Sequence, residues 1–101
     1  MHQEEDFMPT YKIAHITGQG VNVVIFSVKG SFGVQTNEEQ SSMIKIFQAK
    51  SKAAGFNGNV AVVWDGPDGK INFRAPLNQH AFFNKVTSEF IEANLNKSIS
   101  W

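Results

Sequence analysis

The sequence predicts an α+β domain: a four-stranded antiparallel sheet with two helices on one face, in the order β-β-α-β-β-α. Three observations carry that reading. Four short runs are rich in β-branched and aromatic residues. Two longer segments repeat apolar residues at helical spacing. Glycine, proline and asparagine stand at the joints between them. With 101 residues, the chain is long enough for one core, and a single domain is expected over 10–101.

The acidic opening MHQEEDFMP has no apolar core of the kind a signal peptide needs, and residues 1–9 read as a flexible leader. Thr10 to Ile16 then reads as a strand. Thr17-Gly18-Gln19-Gly20 is a turn signal, and Val21 to Val28 is the strongest strand of the chain. These two strands are expected to form a hairpin.

Lys29 to Gln35 connects to the first helix. Thr36 offers an N-cap, and Glu39 completes a capping box. The helix is expected to reach Ala54, with Gly55 just beyond its end and Phe56 packing back on the last turn. Its apolar stripe is read as Met43, Ile44, Ile46, Phe47 and Ala54. Lys50 lies within that stripe, its stem covered and its ammonium out.

Asn59 to Trp64 forms a third strand. Lys70 to Ala75 forms a fourth, with Ile71 and Phe73 on one face and Asn72 and Arg74 on the other. Between them, Asp65-Gly66-Pro67-Asp68-Gly69 carries the chemistry of a turn. Its aspartates are three apart with no glutamate following until Glu89, so the spacing fails a calcium loop. A second helix is expected from Asn78 to about Leu95. Its stripe is Phe82, Phe83, Val86, Phe90 and Ala93, leaving Ile91 and Leu95 off the core. The last residues, 97–101, admit a fifth C-terminal strand. Counting that strand and setting the first aside gives a rival, ferredoxin-like order, β-α-β-β-α-β with an extra N-terminal strand.

The strands at 21–28 and 59–64 are apolar on both faces. Two helices on one face leave the other to be covered. A homodimer joined through that apolar second sheet face is the expected solution; the tail with Ile99 and Trp101 is the alternative.

Charge and composition narrow the function classes. Nine basic and nine acidic residues give zero net charge, against the basic excess of most nucleic-acid binders. There is no cysteine, hence no disulfide, thiol catalysis or thiolate metal site. No apolar run approaches the roughly 20 residues of a membrane span. These features suit a cytoplasmic protein of bacterial type.

The candidate chemistry is sparse. Gly30-Ser31-Phe32-Gly33 lies between a strand and a helix, but lacks the Gly-Lys-Ser/Thr sequence of a phosphate loop. His2, His15 and His80 have no metal-ligand spacing, and no serine stands in a nucleophile elbow. No catalytic residue, metal site or cofactor is therefore expected. If the chain holds a ligand, Trp64, Arg74 and His15 are the residues expected near it: an indole, the sole arginine and an imidazole. The reading is a small non-enzymatic α+β protein acting by association, as a homodimer or with a protein or small-molecule partner. Two alternatives are an enzyme with a site at a dimer cleft drawing on His15, Asp65 and Arg74, and a nucleic-acid accessory protein, which the charge balance disfavours.

Overall fold

The computed structural model describes residues 10–18, 21–66 and 70–100. The leader, Gln19-Gly20, Pro67 to Gly69 and Trp101 lie outside these, and so do most of the expected Pro-Asp-Gly turn and the part assigned to Trp101. The chain forms an α+β fold with a five-stranded mixed sheet and three α-helices. The strands are β1 (Thr10–Gly18), β2 (Val21–Ser27), β3 (Asn59–Asp65), β4 (Ile71–Arg74) and β5 (Lys97–Ser100). The helices are α1 (Asn37–Ala53), α2 (His80–Lys85) and α3 (Ser88–Asn94). Across the sheet the order is β4-β3-β2-β1-β5.

The sheet is not purely antiparallel, as the sequence reading had it. β2 and β3 pair in parallel, with Val24 opposite Val60 and Phe26 opposite Val62. The 17 residues of α1 run about 25 Å at 1.5 Å per residue, enough to carry the chain back along β2. β3 therefore starts at the end where β2 starts, and a parallel pair results. Both ends of α1 follow the local chemistry. Thr36 Oγ1 accepts from Glu39 N (3.1 Å) and Glu39 Oε1 from Thr36 N (2.8 Å). Beyond the helix, Gly55 has φ +92°. Its N–H donates to Lys52 O (3.0 Å) and that of Phe56 to Ser51 O (2.9 Å), a complete Schellman motif.

The tail forms β5, antiparallel to β1, with Tyr11 opposite Ile99. That supplies the element order of the ferredoxin-like alternative, but not its pairing. A split βαβ unit places another strand between its parallel strands, whereas β2 and β3 are direct neighbours.

The helices do not share one face. α1 covers the side carrying Val24, Phe26, Val60 and Val62, and Phe47 is its fully buried anchor. Phe47 stacks on Phe26 at 4.3 Å and 6° and meets Tyr11 edge-on at 4.9 Å. Burying such a ring is worth roughly 1.5–3 kcal/mol. Ile46, expected in the stripe, is 44% exposed, while Ser51 is fully buried. The true stripe centres on Phe47, with Met43 and Ile44 beside it.

The opposite face carries Ala14, Val23, Ile25, Ala61 and Val63, and α2 and α3 cover it through Phe83 and Ile91. β4 and β5 are the two edges of the sheet, so the chain between them must cross its whole width. It crosses on the side α1 leaves free. The apolar second face, where the sequence reading placed a homodimer contact, is covered by the chain's own helices.

The expected single helix to Leu95 is two. Val86 (ψ 140°) and Thr87 (φ −104°, ψ 163°) are extended. Two consecutive β-branched residues favour that conformation, and Thr87 Oγ1 accepts from Phe90 N at 3.1 Å to start α3 anew. The break rotates α3. Ile91 is 3% exposed and Phe90 40%, the reverse of the sequence reading.

Candidate functional site

The parallel pair brings the carboxyl ends of β2 and β3 to one end of the sheet. In open α/β sheets such an end is where ligands bind. Here a cleft of about 390 Å³ opens between that end and α3. Strand alternation sets what enters it. Lys12, Ser27 and Val63 form one row across β1, β2 and β3. Asp65 lies two residues further along β3, opposite Ile71 of β4. All of them share the parity of Ala14, Ile25 and Ala61, and so face α3. α3 contributes Ser88, Ile91 and Glu92, and its C-cap Leu95, positions three to four apart that follow one face of the helix.

The cleft thus has an apolar floor and polar groups of both signs around it. Val63 and Ile91 are buried; Lys12, Asp65 and Glu92 are exposed. Among the described residues, none of these three charged side chains has a hydrogen-bond or ion-pair partner. On neighbouring spacings of about 4.8 Å between strands and 3.3 Å along them, the Lys12 and Asp65 Cα atoms lie roughly 12 Å apart.

Trp64 also lines this cleft. Its indole packs against Phe32 at 5.1 Å, and the backbone of Gly33 lies so close that a Cβ there would collide with Trp64 Nε1. The Gly30–Val34 segment, a 3₁₀ turn, therefore serves to seat the tryptophan. Its glycine answers a close approach rather than a phosphate.

Arg74 stands opposite Val62, diagonal to Trp64, about 7–8 Å away by the usual geometry of such pairs. Its guanidinium turns to α1. It donates to Gln40 Oε1 (2.9 Å), Ser41 Oγ (2.7 Å) and Asn37 O (3.3 Å), tying the β4 edge to the first turns of the helix.

His15 lies at the far end of the sheet. It stands opposite Val24, which pairs with Val60. Its Nε2 contacts Asn57 O at 2.9 Å and Asn22 Oδ1 at 3.2 Å. A carbonyl only accepts, so Nε2 carries the hydrogen. The ring meets Phe56 edge-on at 5.7 Å. By strand spacing His15 is roughly 16 Å from Arg74 and about 19 Å from Asp65, which is also on the opposite face. The structure therefore brings Trp64 and Asp65 to one cleft and separates both from His15. The turn joining β1 to β2 and the turn joining β3 to β4 lie at opposite ends because β2 and β3 run in parallel. The alternative enzyme site drew on His15, Asp65 and Arg74, and the parallel pairing keeps His15 apart from the other two within one chain.

Lys12, Ser27, Ser88 and Glu92 were not singled out from the sequence. Ser88 and Glu92 share one face of α3, but no spacing links them to Lys12 and Ser27, which come from two other elements. Only the alternation that puts Lys12 on the face of Ala14 was readable in advance.

A second cleft, of about 420 Å³, lies at the same end on the α1 side, walled by Tyr11, Val28, Phe32 and Met43. Its one charged lining residue is Lys29. Among the described residues, no three histidine or acidic side chains converge as a metal site would require, and no helix is long and apolar enough to cross a membrane. Comparison with protein-family models, with curated proteins and with solved structures returns no match.

Proposed function

We propose that the chain is a small non-enzymatic binding protein that takes a small polar ligand in the cleft beneath α3. The observation that supports this most is the set of groups at that cleft. An ammonium, two carboxylates and two hydroxyls surround an apolar floor, and the charged ones have no partner among the described residues. Binding sites combine apolar surface with orienting polar groups, and here the polar groups make up the larger part of the lining. Catalysis would ask for more. A nucleophile or general base must sit within hydrogen-bond reach of the group that orients it. The two best candidates for such chemistry hold the fold: His15 pins the loop after α1, and Arg74 pins the β4 edge. The enzyme alternative built on His15, Asp65 and Arg74 loses its support from proximity within one chain. The association expected from the sequence becomes association with a small molecule.

The test is a titration of the ¹⁵N-labelled chain with a panel of small anions, cations, zwitterions and sugars, followed by amide shifts. Saturable shifts at Ser27, Val63 and Ile91 are expected from at least one member. A panel that leaves those amides unmoved, or that moves only residues elsewhere, refutes the site.

A further inference from the structure

Resting on that reading of the cleft, we infer that its ligand is a small zwitterion with an apolar body, of the class of a free α-amino acid with an aliphatic or aromatic side chain. The argument starts from Lys12 and Asp65. Strand parity points both to the face beneath α3, and the pairing fixes them two strands apart and two residues out of line. The resulting Cα separation is roughly 12 Å, near the limit at which the two side chains could pair, and among the described residues neither side chain has a hydrogen-bond or ion-pair partner. They therefore face one another across the cleft without closing on each other. A ligand carrying its own cation and anion fills that gap and meets a charge of opposite sign at either end.

Ligands of one charge fit less well. A simple anion would meet Lys12 but stand before the carboxylates of Asp65 and Glu92. A simple cation would satisfy the carboxylates and be repelled by Lys12. An α-ammonium has three donors, enough to serve Asp65 and Glu92 together. The ligand's carboxylate would take Lys12 and the hydroxyl of Ser27, which stands beside Lys12 in the same row. Its side chain would lie against Ile71 and Leu95, the half-buried apolar residues of the lining, where burying apolar surface adds affinity without regard to direction.

The experiment compares four probes against the full chain by the same amide titration: L-phenylalanine, L-leucine, phenethylamine and 3-phenylpropionate. The two amino acids are expected to shift Ser27, Val63 and Ile91 saturably. Each singly charged analogue of phenylalanine is expected to bind at least about tenfold more weakly, the usual loss for one charge-assisted contact. Lys12→Gln should weaken L-phenylalanine about tenfold and leave phenethylamine no weaker. Asp65→Asn should do the converse, weakening phenylalanine and sparing 3-phenylpropionate. Both residues are exposed, so the variants should fold, and circular dichroism with thermal melting checks that they do. If either analogue binds as tightly as L-phenylalanine, the zwitterion is refuted while the cleft stands. If the amino acids leave the cleft unmoved while another panel member occupies it, the ligand class falls and the site survives. If nothing moves the cleft amides, both fall.

Discussion

Replacing Ile91 and Phe90 by alanine, one at a time, tests the least expected feature of the fold. The two are adjacent in sequence, and the break at Val86-Thr87 decides which of them faces the sheet. Ile91 is 3% exposed and packs in the cluster with Ala14, Ala61 and Phe83. Truncating such a residue removes its transfer free energy and leaves a cavity, at a cost of about 2–5 kcal/mol. Ala14 and Ala61 are themselves small and cannot expand to fill the space, so a value near the middle, about 3 kcal/mol, is expected. For a domain of this size each kcal/mol moves Tm by roughly 4–8 °C, so the melting point should fall by about 12–24 °C. Phe90 is 40% exposed, with an edge-on contact to Phe82 at 6.3 Å. Its truncation should cost less than that of Ile91, about 1–2.5 kcal/mol, from one such aromatic pair and the partial burial of the ring. Urea unfolding followed by circular dichroism gives both values, provided m is unchanged between variants. A continuous helix from Asn78 to Leu95 makes the opposite demand. If Phe90→Ala proved costlier than Ile91→Ala, α3 would not be rotated as described, and the break would be refuted.

Other outcomes follow from single contacts. Thr87→Ala should destabilise by about 1 kcal/mol through loss of the α3 cap, read by the same urea titration; a neutral result would mean the cap contributes nothing. Arg74→Met keeps the stem but strands Gln40 Oε1 and Ser41 Oγ, at a cost of about 1–3 kcal/mol; amide exchange should then quicken in β4 and the first turns of α1 before it does elsewhere. Gly55→Ala meets open space and should cost only the left-handed backbone conformation, about 1–2 kcal/mol. Gly58→Ala should cost more in a parallel thermal melt, because at φ +136° its Cβ would also approach Asn22 Oδ1 to 2.7 Å. With both sheet faces covered by its own helices, the chain should sediment as an 11.2 kDa monomer; a dimer at micromolar concentration would point to the sheet edges instead.

What the sequence disclosed and what it withheld divide along the range of the interactions. The capping box at Thr36 and Glu39 and the Schellman end at Gly55 and Phe56 were legible because their partners lie within five residues of one another. The β1–β2 and β3–β4 hairpins were legible for the same reason. The two-sided apolar character of β2 and β3 was read correctly too, but its meaning was not. Strands apolar on both faces are the mark of a sheet with helices on each side, and assigning both helices to one face obliged a partner to cover the other. Parallel pairing between β2 and β3 leaves no local trace, since it is set by the length of α1 and not by any residue within it. The start of α3 did leave a trace, in Thr87 followed by Ser88 and Glu89, a cap with an acidic first turn. The aromatic stripe of Phe82, Phe83 and Phe90 masked it. The cleft was the least legible part. Lys12, Asp65 and Glu92 come from the beginning, middle and end of the chain, and only the assembled sheet makes them neighbours.

The pairing of β5 with β1 has a kinetic consequence. Thr10 and Ser100, whose hydroxyls meet at 2.7 Å, are 90 positions apart. Closing a loop of that length costs about 4 kcal/mol in chain entropy before any constant term. The β1–β2 hairpin closes over a handful of residues and α1 forms within its own segment, so neither waits for the rest. The sheet's far edge must wait, because Lys97 to Ser100 have nothing to pair with until β1 is in place and the chain through α2 and α3 has crossed the sheet. Chain entropy therefore makes β5 the last strand expected to pair. That same strand, four residues long and held along one side, is the natural first step of its unfolding.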